Sequence, residues 1–355
     1  MFQIYLDGKK MHVPDMDKRR KILDATLNQE LNKAGSFNFL IPQEHYYYNG
    51  IHNLKSMIEV YDDDSRVFKG RVLNHNFNYY NVKNVIAEGE MAYFNDSVFQ
   101  PSAKGTVTTT QLFPQIINNH NSQLEEAKHF KVGDIDSCTF EISSLSFYKS
   151  MDFIQNEIIK KTKGYISLRY IGDDRYIDFK MTPGVNDTSS KIQFGVNLLD
   201  LNRYIDPTEL YTVIIPYGDT IQETEKPLDI TGINGGINYV ENLKAIEAFG
   251  RICRHVEFKG ITDPEELYAY AIDFAGSTVS EAITLELTAV ELRKLGIVNA
   301  YDYGLYKTGN SYKVESIPHG IDEFFLCSKK STNLFYPDKN KVTFGHTRKN
   351  LTDYI

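Results

Sequence analysis

Residues 57–72 read MIEVYDDDSRVFKGRV, and this stretch decides the fold class. Residues 57–61 and 66–72 are rich in strand-forming residues, and they flank the short polar run at 62–65. Aspartate and serine favour turns because their side chains bond to nearby backbone groups. The stretch therefore predicts a β-hairpin within a sheet-rich N-terminal region.

Strand patterns continue on both sides of this hairpin. Apolar and polar residues alternate through residues 2–6, just before an Asp-Gly turn, which predicts a second hairpin. Residues 36–41 read as another strand, and residues 77–80 and 82–87 predict a further strand region. These segments indicate a compact antiparallel unit, either a small barrel or a sandwich.

Helical patterns occupy the middle of the chain. Apolar residues recur at helical spacing over 113–124 and 151–158, and a hairpin pattern follows at 166–181. Asp263 is a candidate cap for another helix, because a proline and a capping glutamate follow it. Sheet-like segments return over 283–345. The predicted class is α+β, with strands at both ends and helices in the middle.

The bulk composition excludes several classes of protein. The 355 residues suffice for about two or three domains, and 24 Tyr and 21 Phe favour sheets and subunit interfaces. A formal net charge of −8 argues against a nucleic-acid binder, which needs clustered Lys and Arg. The sequence has no apolar run of about 18 residues and no secretory signal pattern. We therefore expect synthesis and folding in the cytoplasm.

Cysteine and histidine patterns predict no metal site and no cofactor. Cys138, Cys253 and Cys327 are odd in number and far apart, so we expect neither a disulfide framework nor a zinc site. All three are expected to be buried small apolar residues. The nine histidines match no metal or catalytic-triad motif, and His120 lies on the apolar face of a predicted helix. We predict structural roles for them.

Carboxylates are the remaining candidates for chemistry. Glu88, Glu90 and Asp96 lie close in sequence, and a glycosidase needs two carboxylates that face each other across a cleft. Such spacing is common by chance, so we favour a structural role. The acidic run at 62–64 lacks the alternating ligand spacing of a calcium loop, and it is interpreted as a solvated hairpin tip.

Six stretches resemble, in order, the N-terminal region of phage tail-associated lysins, also called prophage tail endopeptidases. They are VFKGRV (67–72), IAEGEMAYFNDS (86–97), LYTVIIPYG (210–218), AFGRI (248–252), NLFYP (333–337) and VTFG (342–345). Each is a weak motif alone. Their conserved order along nearly the whole chain carries the resemblance.

The resemblance implies a fold similar to the baseplate hub protein of contractile-tail phages. That fold has two β-barrel-like tube domains and a peripheral α/β domain, and three copies form a pseudo-sixfold ring. We expect a first tube domain at 1–101, a peripheral domain at 102–205 with 240–282, and a second tube domain at 206–239 with 283–355. In the family, lytic activity lies C-terminal to this region. Few residues follow the last similar strand, so we expect no lytic part here.

The implied function is a homotrimeric hub at the virion tail tip, which closes the tail tube and links it to the host-recognition or lytic apparatus. Implied partners are the distal tail protein, the tape measure protein, and tail fibres or receptor-binding proteins. DNA would contact the ring only in transit, which suits an acidic lumen. The ring itself would contact the host cell wall only indirectly. The predicted interface residues are Tyr61, Asp62, Asp63, Asp64, Phe68 and Tyr93.

Two alternatives to this structural role stay open. One is a tail-associated cell-wall hydrolase, an endopeptidase or a glycosidase, which would act through Glu88, Glu90 and Asp96 during DNA entry. The other is a carbohydrate-binding module whose tyrosines stack on sugars. We predict no catalytic residue for the structural reading.

Overall fold

The computed structural model describes residues 2–12, 17–142, 144–205, 210–221, 226–258, 260–296, 303 and 306–345. It contains two compact units, one of residues Met1–Asp200 with Leu287–Phe344 and one of Leu201–Glu286 with Gly345–Ile355. The expected division into two tube domains and a peripheral domain stays a prediction, and its boundary at residue 206 lies outside the described residues.

Seven strands form the N-terminal part of a large sheet. They are β1 (Phe2–Leu6), β2 (Lys9–His12), β3 (Asp24–Glu30), β4 (Ser36–Ile41), β5 (Met57–Asp62), β6 (Ser65–Phe77) and β7 (Lys83–Gly89). The predicted hairpin at 57–72 is confirmed, because β5 and β6 pair antiparallel with Asp62 opposite Ser65. The hairpin of β1 and β2 is confirmed as well.

The turn between β6 and β7 corrects one expectation. The sequence pattern predicts strand through residues 77–80, but β6 ends at Phe77 and a turn follows. Asn78 provides the reason, since its Oδ1 accepts the backbone N–H of Tyr80 at 3.0 Å and of Val82 at 3.1 Å. An asparagine that bonds to the backbone just after it favours a turn over a strand ladder.

The segment 90–180 adds helices and small sheets after a 3-10 helix at Glu90–Asp96. Its strands are β8 (Val98–Phe99), β9 (Gly105–Thr108), β10 (Lys131–Ile135), β11 (Thr139–Ile142), β12 (Tyr148–Lys149), β13 (Tyr165–Ile171) and β14 (Asp174–Lys180). Its helices are α1 (Thr109–Gln123), α2 (Ser150–Phe153) and α3 (Lys160–Thr162), with a π-helical stretch at Ile154–Ile159 and a 3-10 turn at Glu126–Lys128.

The helices and the hairpin predicted for this segment are confirmed. A capping box of Thr108 and Gln111 begins α1. The strands β13 and β14 pair antiparallel, with Tyr165 opposite Lys180 and Ile171 opposite Asp174. The apolar faces of these elements meet in one core. Its fully buried rings include Phe113, Phe130, Phe153 and Phe179.

The strands β15 (Asn186–Gln193) and β16 (Leu198–Ile205) follow. The second unit then contains β17 (Val213–Tyr217), β18 (Thr220–Ile221), β19 (Lys226–Pro227), β20 (Val240–Glu241), α4 (Leu243–Phe249), β21 (Cys253–Glu257) and α5 (Pro264–Ala282). Its central strand β17 pairs antiparallel with β20 and parallel with β21. The helix α5 begins at Pro264, as predicted, and packs Leu267 and Ala271 into this unit's core.

The cysteine prediction is confirmed only in part. Cys327 is buried, Cys138 is half-buried and Cys253 is exposed. The prediction is wrong for Cys253 because β21 is an edge strand in the three-stranded sheet, and most of its residues face outward.

The last strands are β22 (Ile283–Ala289), β23 (Ser311–Ser316), β24 (Ile321–Asn333) and β25 (Lys341–Phe344). Three further 3-10 turns lie at Leu292–Leu295, Ile317–His319 and Pro337–Lys339, and a fourth lies earlier at Lys18–Arg20.

The strand β24 joins the two ends of the chain in one sheet. It pairs antiparallel with β3, and Lys329 lies opposite Glu30 while Asn333 lies opposite Thr26. The sheet order is β16-β22-β25-β24-β3-β4-β7-β6-β5-β1-β2, and β23 also pairs with β24 and carries β15 on its other side. The described chain is therefore mostly β with a few helices, which confirms the α+β class.

The strands β6 and β24 have a common design. Each is 13 residues long and changes partner along its length. The first pairs with β5 and then β7, and the second pairs with β23 and then β25 and β3. Each ladder also shifts register, at 72–74 in β6 and at 327–329 in β24. Bulges of this kind bend a strand and increase its twist.

No helix in the described ranges has both the length and the apolar character needed to cross a membrane.

Candidate functional site

Arg71 gathers two of the three carboxylates that the sequence singles out. Its Nε donates to Glu88 Oε1 at 2.8 Å, and both of its terminal nitrogens bond to Asp96, Nη2 at 2.9 Å. The Arg71 side chain is only 6% exposed. Lys128 adds a second cation 3.2 Å from Asp96. The charges of this group are thus compensated within the chain.

Glu90 is held by a separate set of partners. Its side chain is fully buried, and its Oε1 accepts from Arg175 at 2.7 Å. Its Oε2 accepts the hydroxyl of Tyr170 at 2.8 Å, and Lys69 lies 3.8 Å from Oε1. Because Lys69 is on β6 and the other two are on the β13–β14 hairpin, Glu90 ties the large sheet to the segment 90–180.

Tyr93 lies between these two groups. Its ring centre is 5.2 Å from the Arg71 guanidinium carbon, 5.8 Å from that of Arg175 and 6.0 Å from the Lys128 ammonium nitrogen. Burial is the main cause that raises the pKa of Tyr93 above its ordinary value. We define the junction cluster as Lys69, Arg71, Glu88, Glu90, Tyr93, Asp96, Lys128, Tyr170 and Arg175.

The junction cluster has the chemistry of a structural ion network. A general acid needs a carboxyl group that stays protonated near neutral pH. Burial would raise the pKa of Asp96, but the hydrogen bonds from Arg71 and Lys128 outweigh it and hold this pKa below its ordinary value. Glu88 and Glu90 each accept hydrogen bonds from an arginine. For Asp96, this arrangement favours a carboxylate over a proton donor.

A serine–histidine contact next to the cluster escaped the sequence analysis. Ser97 Oγ lies 2.7 Å from His120 Nδ1 and 2.7 Å from Ser150 Oγ. His120 Nε2 lies 3.1 Å from the backbone oxygen of Lys128. All three side chains are buried, and burial lowers the pKa of His120. A nucleophile must reach its substrate, so this buried contact has the geometry of a core hydrogen-bond network.

The predicted interface residues fall into two groups. Residues 61–62 are half-buried and residues 63–64 are exposed, all at the end of the β5–β6 hairpin. Phe68 and Tyr93 are buried within the chain itself, at 7% and 3% exposure. A role for any of the six in a subunit contact stays a prediction.

A cavity of about 290 Å³, lined by polar and apolar side chains alike, lies beside the junction cluster. Lys69, Glu90 and Tyr170 line one side, and the turn at residues 31–35 lines another. In the described part of the chain, no three His, Cys, Asp or Glu side chains are grouped so that they could hold a metal ion.

The C-terminal part of the chain matches a known family. Residues 186–355 match the family described as prophage endopeptidase tail. No curated protein has a matching sequence. The family match includes β15, β24 and β25, the strands that extend the large sheet beyond β3.

Solved structures are similar along almost the whole chain. The 43 kDa tail protein of prophage MuSo2 from Shewanella oneidensis has a TM-score of 0.60 at 13% identity, covering 98% of this chain and 98% of its own. The prophage tail protein gp18 from Listeria monocytogenes EGD-e has a TM-score of 0.57 at 14% identity, covering 99% and 96%. An E. coli component of the type VI secretion system, described as similar to the T4 tail proteins gp27 and gp5, has a TM-score of 0.52 at 10% identity, covering 98% and 77%.

The fold is therefore that of phage tail proteins. Within that class, the sequence resemblance to prophage tail endopeptidases is confirmed for residues 186–355.

Proposed function

We propose that this chain is the structural hub of a phage or prophage tail tip and that three copies form a ring. The ring closes the tail tube and links it to the host-recognition or lytic apparatus. The observation that carries the proposal is the continuous sheet, in which β3 pairs with β24 and joins both ends of the chain. A long, bent, continuous sheet suits a wall that must keep its shape around a channel.

Similar halves support the ring. The 13-residue strands β6 and β24 both bend at a register shift and both change partner. A buried glutamate follows a strand in each half, Glu90 after β7 and Glu291 after β22. Two related barrel-like domains in each of three copies would place six similar units around one axis.

The charge of the chain suits a channel for DNA in transit. With a net charge of −8, an acidic wall repels phosphate and lets DNA slide. Contacts between copies would use strand edges and aromatic or acidic side chains, among them the hairpin tip at 61–64. Partners above and below the ring would be the distal tail protein, the tape measure protein, and fibres or receptor-binding proteins. The assembled site is the virion tail tip.

Particles assembled without this chain test the proposal. We expect tubes that lack a closed tip, together with loss of infection, and rescue by the chain supplied in trans. Particles with normal tips and normal DNA ejection in its absence would overturn the hub role. Lys341→Gln, an exposed substitution on β25, is the control and should rescue as well as the unchanged chain.

The hydrolase alternative has a direct test, because the matching family carries endopeptidase in its description. Purified chain is incubated with cell-wall peptidoglycan, and the release of soluble fragments is measured. The hub proposal predicts no release. Release that disappears in Glu88→Gln, with the same folded signal, would instead assign a hydrolase to these carboxylates.

A further inference from the structure

The sequence contains two Asn-Gly pairs, Asn49-Gly50 and Asn234-Gly235. In such a pair the backbone nitrogen of the glycine can attack the side-chain carbonyl carbon of the asparagine, because glycine has no side chain to hinder a close approach. The attack converts the asparagine into an acidic residue. The hydrogen bonds around each pair decide how easily these two atoms meet.

The first pair is held by a single hydrogen bond. Asn49 lies in the loop between β4 and β5, and both Asn49 and Gly50 are exposed. Asn49 makes no hydrogen bond to any of the described residues, through its side chain or its backbone. The Gly50 N–H donates to the Tyr47 oxygen at 3.0 Å. Ring closure here breaks only this turn bond, which slows the attack by about tenfold at most.

The second pair is held by more bonds. The Asn234 side-chain nitrogen donates to the Tyr239 oxygen at 3.0 Å, and the backbone oxygen of Asn234 accepts from Ile237 at 3.1 Å. The Gly235 N–H has no acceptor among the described residues, so the attacking atom itself is available. Ring closure nevertheless turns the side chain away from Tyr239 and the backbone oxygen away from Ile237. Asn234 is also half-buried, so the first pair is the more reactive one.

We propose that Asn49-Gly50, the deamidation site, converts itself to an acidic residue and that the new carboxylate pairs with Lys83. The Gly50 nitrogen loses its proton and forms a bond to the side-chain carbonyl carbon of Asn49, and the bond from that carbon to Nδ2 breaks. The amide group takes up a proton and leaves as ammonia, and a five-membered imide ring remains. One water molecule then opens the ring to aspartate or isoaspartate. No oxidant or reductant takes part.

Lys83 lies where the new carboxylate forms. Its ammonium group donates to the backbone oxygen of Tyr48, the residue directly before Asn49, and lies 4.2 Å from the centre of the Tyr48 ring. Lys83 is only 6% exposed, and burial lowers its pKa. No carboxylate among the described residues pairs with it. A mostly buried cation without an acidic partner is stabilised when one is supplied.

Mass spectrometry of the purified chain tests the reaction. The chain is incubated at mildly alkaline pH in water labelled with heavy oxygen, and samples are digested at acidic pH, where the reaction is slow. We expect the peptide that contains Asn49 to lose ammonia and to gain one labelled oxygen. The peptide that contains Asn234, in the same digest, should do so about tenfold or more slowly. An unchanged Asn49, or conversion of Asn234 at the same rate or faster, would overturn the proposal.

Gly50→Ala is the matched variant, because it hinders the attack and leaves the turn in place. A Cβ at position 50 would lie 3.7 Å from the Tyr47 oxygen, an ordinary contact, and the Gly50 backbone is outside the left-handed region. We expect this variant to lose most of the conversion at Asn49, with the circular dichroism spectrum of the parent and unchanged behaviour at Asn234. Equal conversion in the variant and the parent would overturn the attack by the Gly50 nitrogen.

The pairing with Lys83 has a test of its own. Asn49→Asp should raise the midpoint of thermal unfolding by about 1–4 °C, and this rise should disappear in a Lys83→Met background. Salt gives a readout that needs no lysine variant, since it screens the exposed partner of the pair and should reduce the rise. A midpoint that does not rise, or a rise that persists in high salt, would overturn the pairing.

Discussion

Glu90 and Glu291 stand at similar places in the two halves of the large sheet, but their partners differ. Glu90 follows β7 directly, and Glu291 follows β22 after one residue. Both side chains are almost fully buried, and a 3-10 helix begins at Glu90 and directly after Glu291. Both oxygens of Glu90 accept hydrogen bonds, from Arg175 and Tyr170.

Only one carboxylate oxygen of Glu291 has a hydrogen-bond partner among the described residues. Glu291 Oε1 accepts from Lys330 at 2.5 Å and from the Tyr306 backbone at 3.0 Å. Its Oε2 has no partner among the described residues. Glu90 accepts hydrogen bonds from side chains of the β13–β14 hairpin, whereas Glu291 accepts them from Lys330 on β24 and from the Tyr306 backbone. The buried charge of Glu90 thus joins the end of β7 to the β13–β14 hairpin, and the buried charge of Glu291 makes no comparable contact with a hairpin.

The largest effect should come from breaking the Glu90 site. Glu90→Ala leaves Arg175 buried without its carboxylate, and the loss of one partner of a buried pair costs about 3–5 kcal/mol. We expect the free energy of unfolding, measured by urea denaturation, to decrease by about this amount. The double variant Glu90→Leu with Arg175→Leu is the control and should recover most of it. An effect below about 1 kcal/mol for Glu90→Ala would contradict a stabilising role for the Glu90–Arg175 pair.

Lowering the pH should reduce the free energy of unfolding through His12, which lies in the N-terminal half. Burial, with His45 and Lys21 nearby, lowers the pKa of His12 from 6.5 to about 4. Between these values the unfolded chain binds a proton that the folded chain does not. The free energy of unfolding therefore falls as pH drops from about 6.5 to about 4, by up to about 2–3 kcal/mol from this residue.

Urea denaturation at several pH values in this window measures the effect. His12→Gln keeps a polar side chain of similar length but does not titrate, so its stability should depend less steeply on pH. An unchanged slope would show that His12 does not couple acid to unfolding.

A smaller effect is expected at the second glutamate. Glu291→Gln keeps an oxygen acceptor for Tyr306, and its amide can face the side where Oε2 has no described partner. It loses the ion pair with Lys330, so we expect a cost of about 1–2 kcal/mol. We compare the free energies of unfolding of Glu90→Gln and Glu291→Gln by urea denaturation, and we expect the larger loss at Glu90. A larger loss at Glu291 would reverse our interpretation of the two sites.

The smallest effect on folding should come from the hairpin tip. Asp64 is exposed in the turn between β5 and β6, so Asp64→Asn should change the free energy of unfolding by less than about 0.5 kcal/mol. If the tip contacts a neighbouring copy, the same change should shift self-association in sedimentation experiments. Lys341→Gln, exposed on β25, is the control and should change neither property.

Local patterns predicted the local elements well. The alternation at 57–72 and 166–181 predicted two hairpins, and the Asp263 cap predicted α5. These features depend on bonds between residues close in sequence. The pattern failed at residues 77–80, where the Asn78 side chain replaces a strand ladder with a turn.

Long-range contacts could not be predicted from a single sequence. Ser331 bonds to Asn28 across 303 positions where β24 meets β3, and no periodicity marks that partner. The sequence singles out the carboxylates at 88–96, but no pattern marks Arg71 and Arg175 as the residues that hold them. The partners of these residues depend on which strands lie side by side in the folded chain.

The absolute mass of the purified chain, measured by light scattering across a concentration series, tests the central claim most directly. The account predicts a trimer of the 40.8 kDa chain, or a monomer that converts to a trimer as concentration rises. The mass of a single chain at every concentration would contradict a ring built by this chain alone.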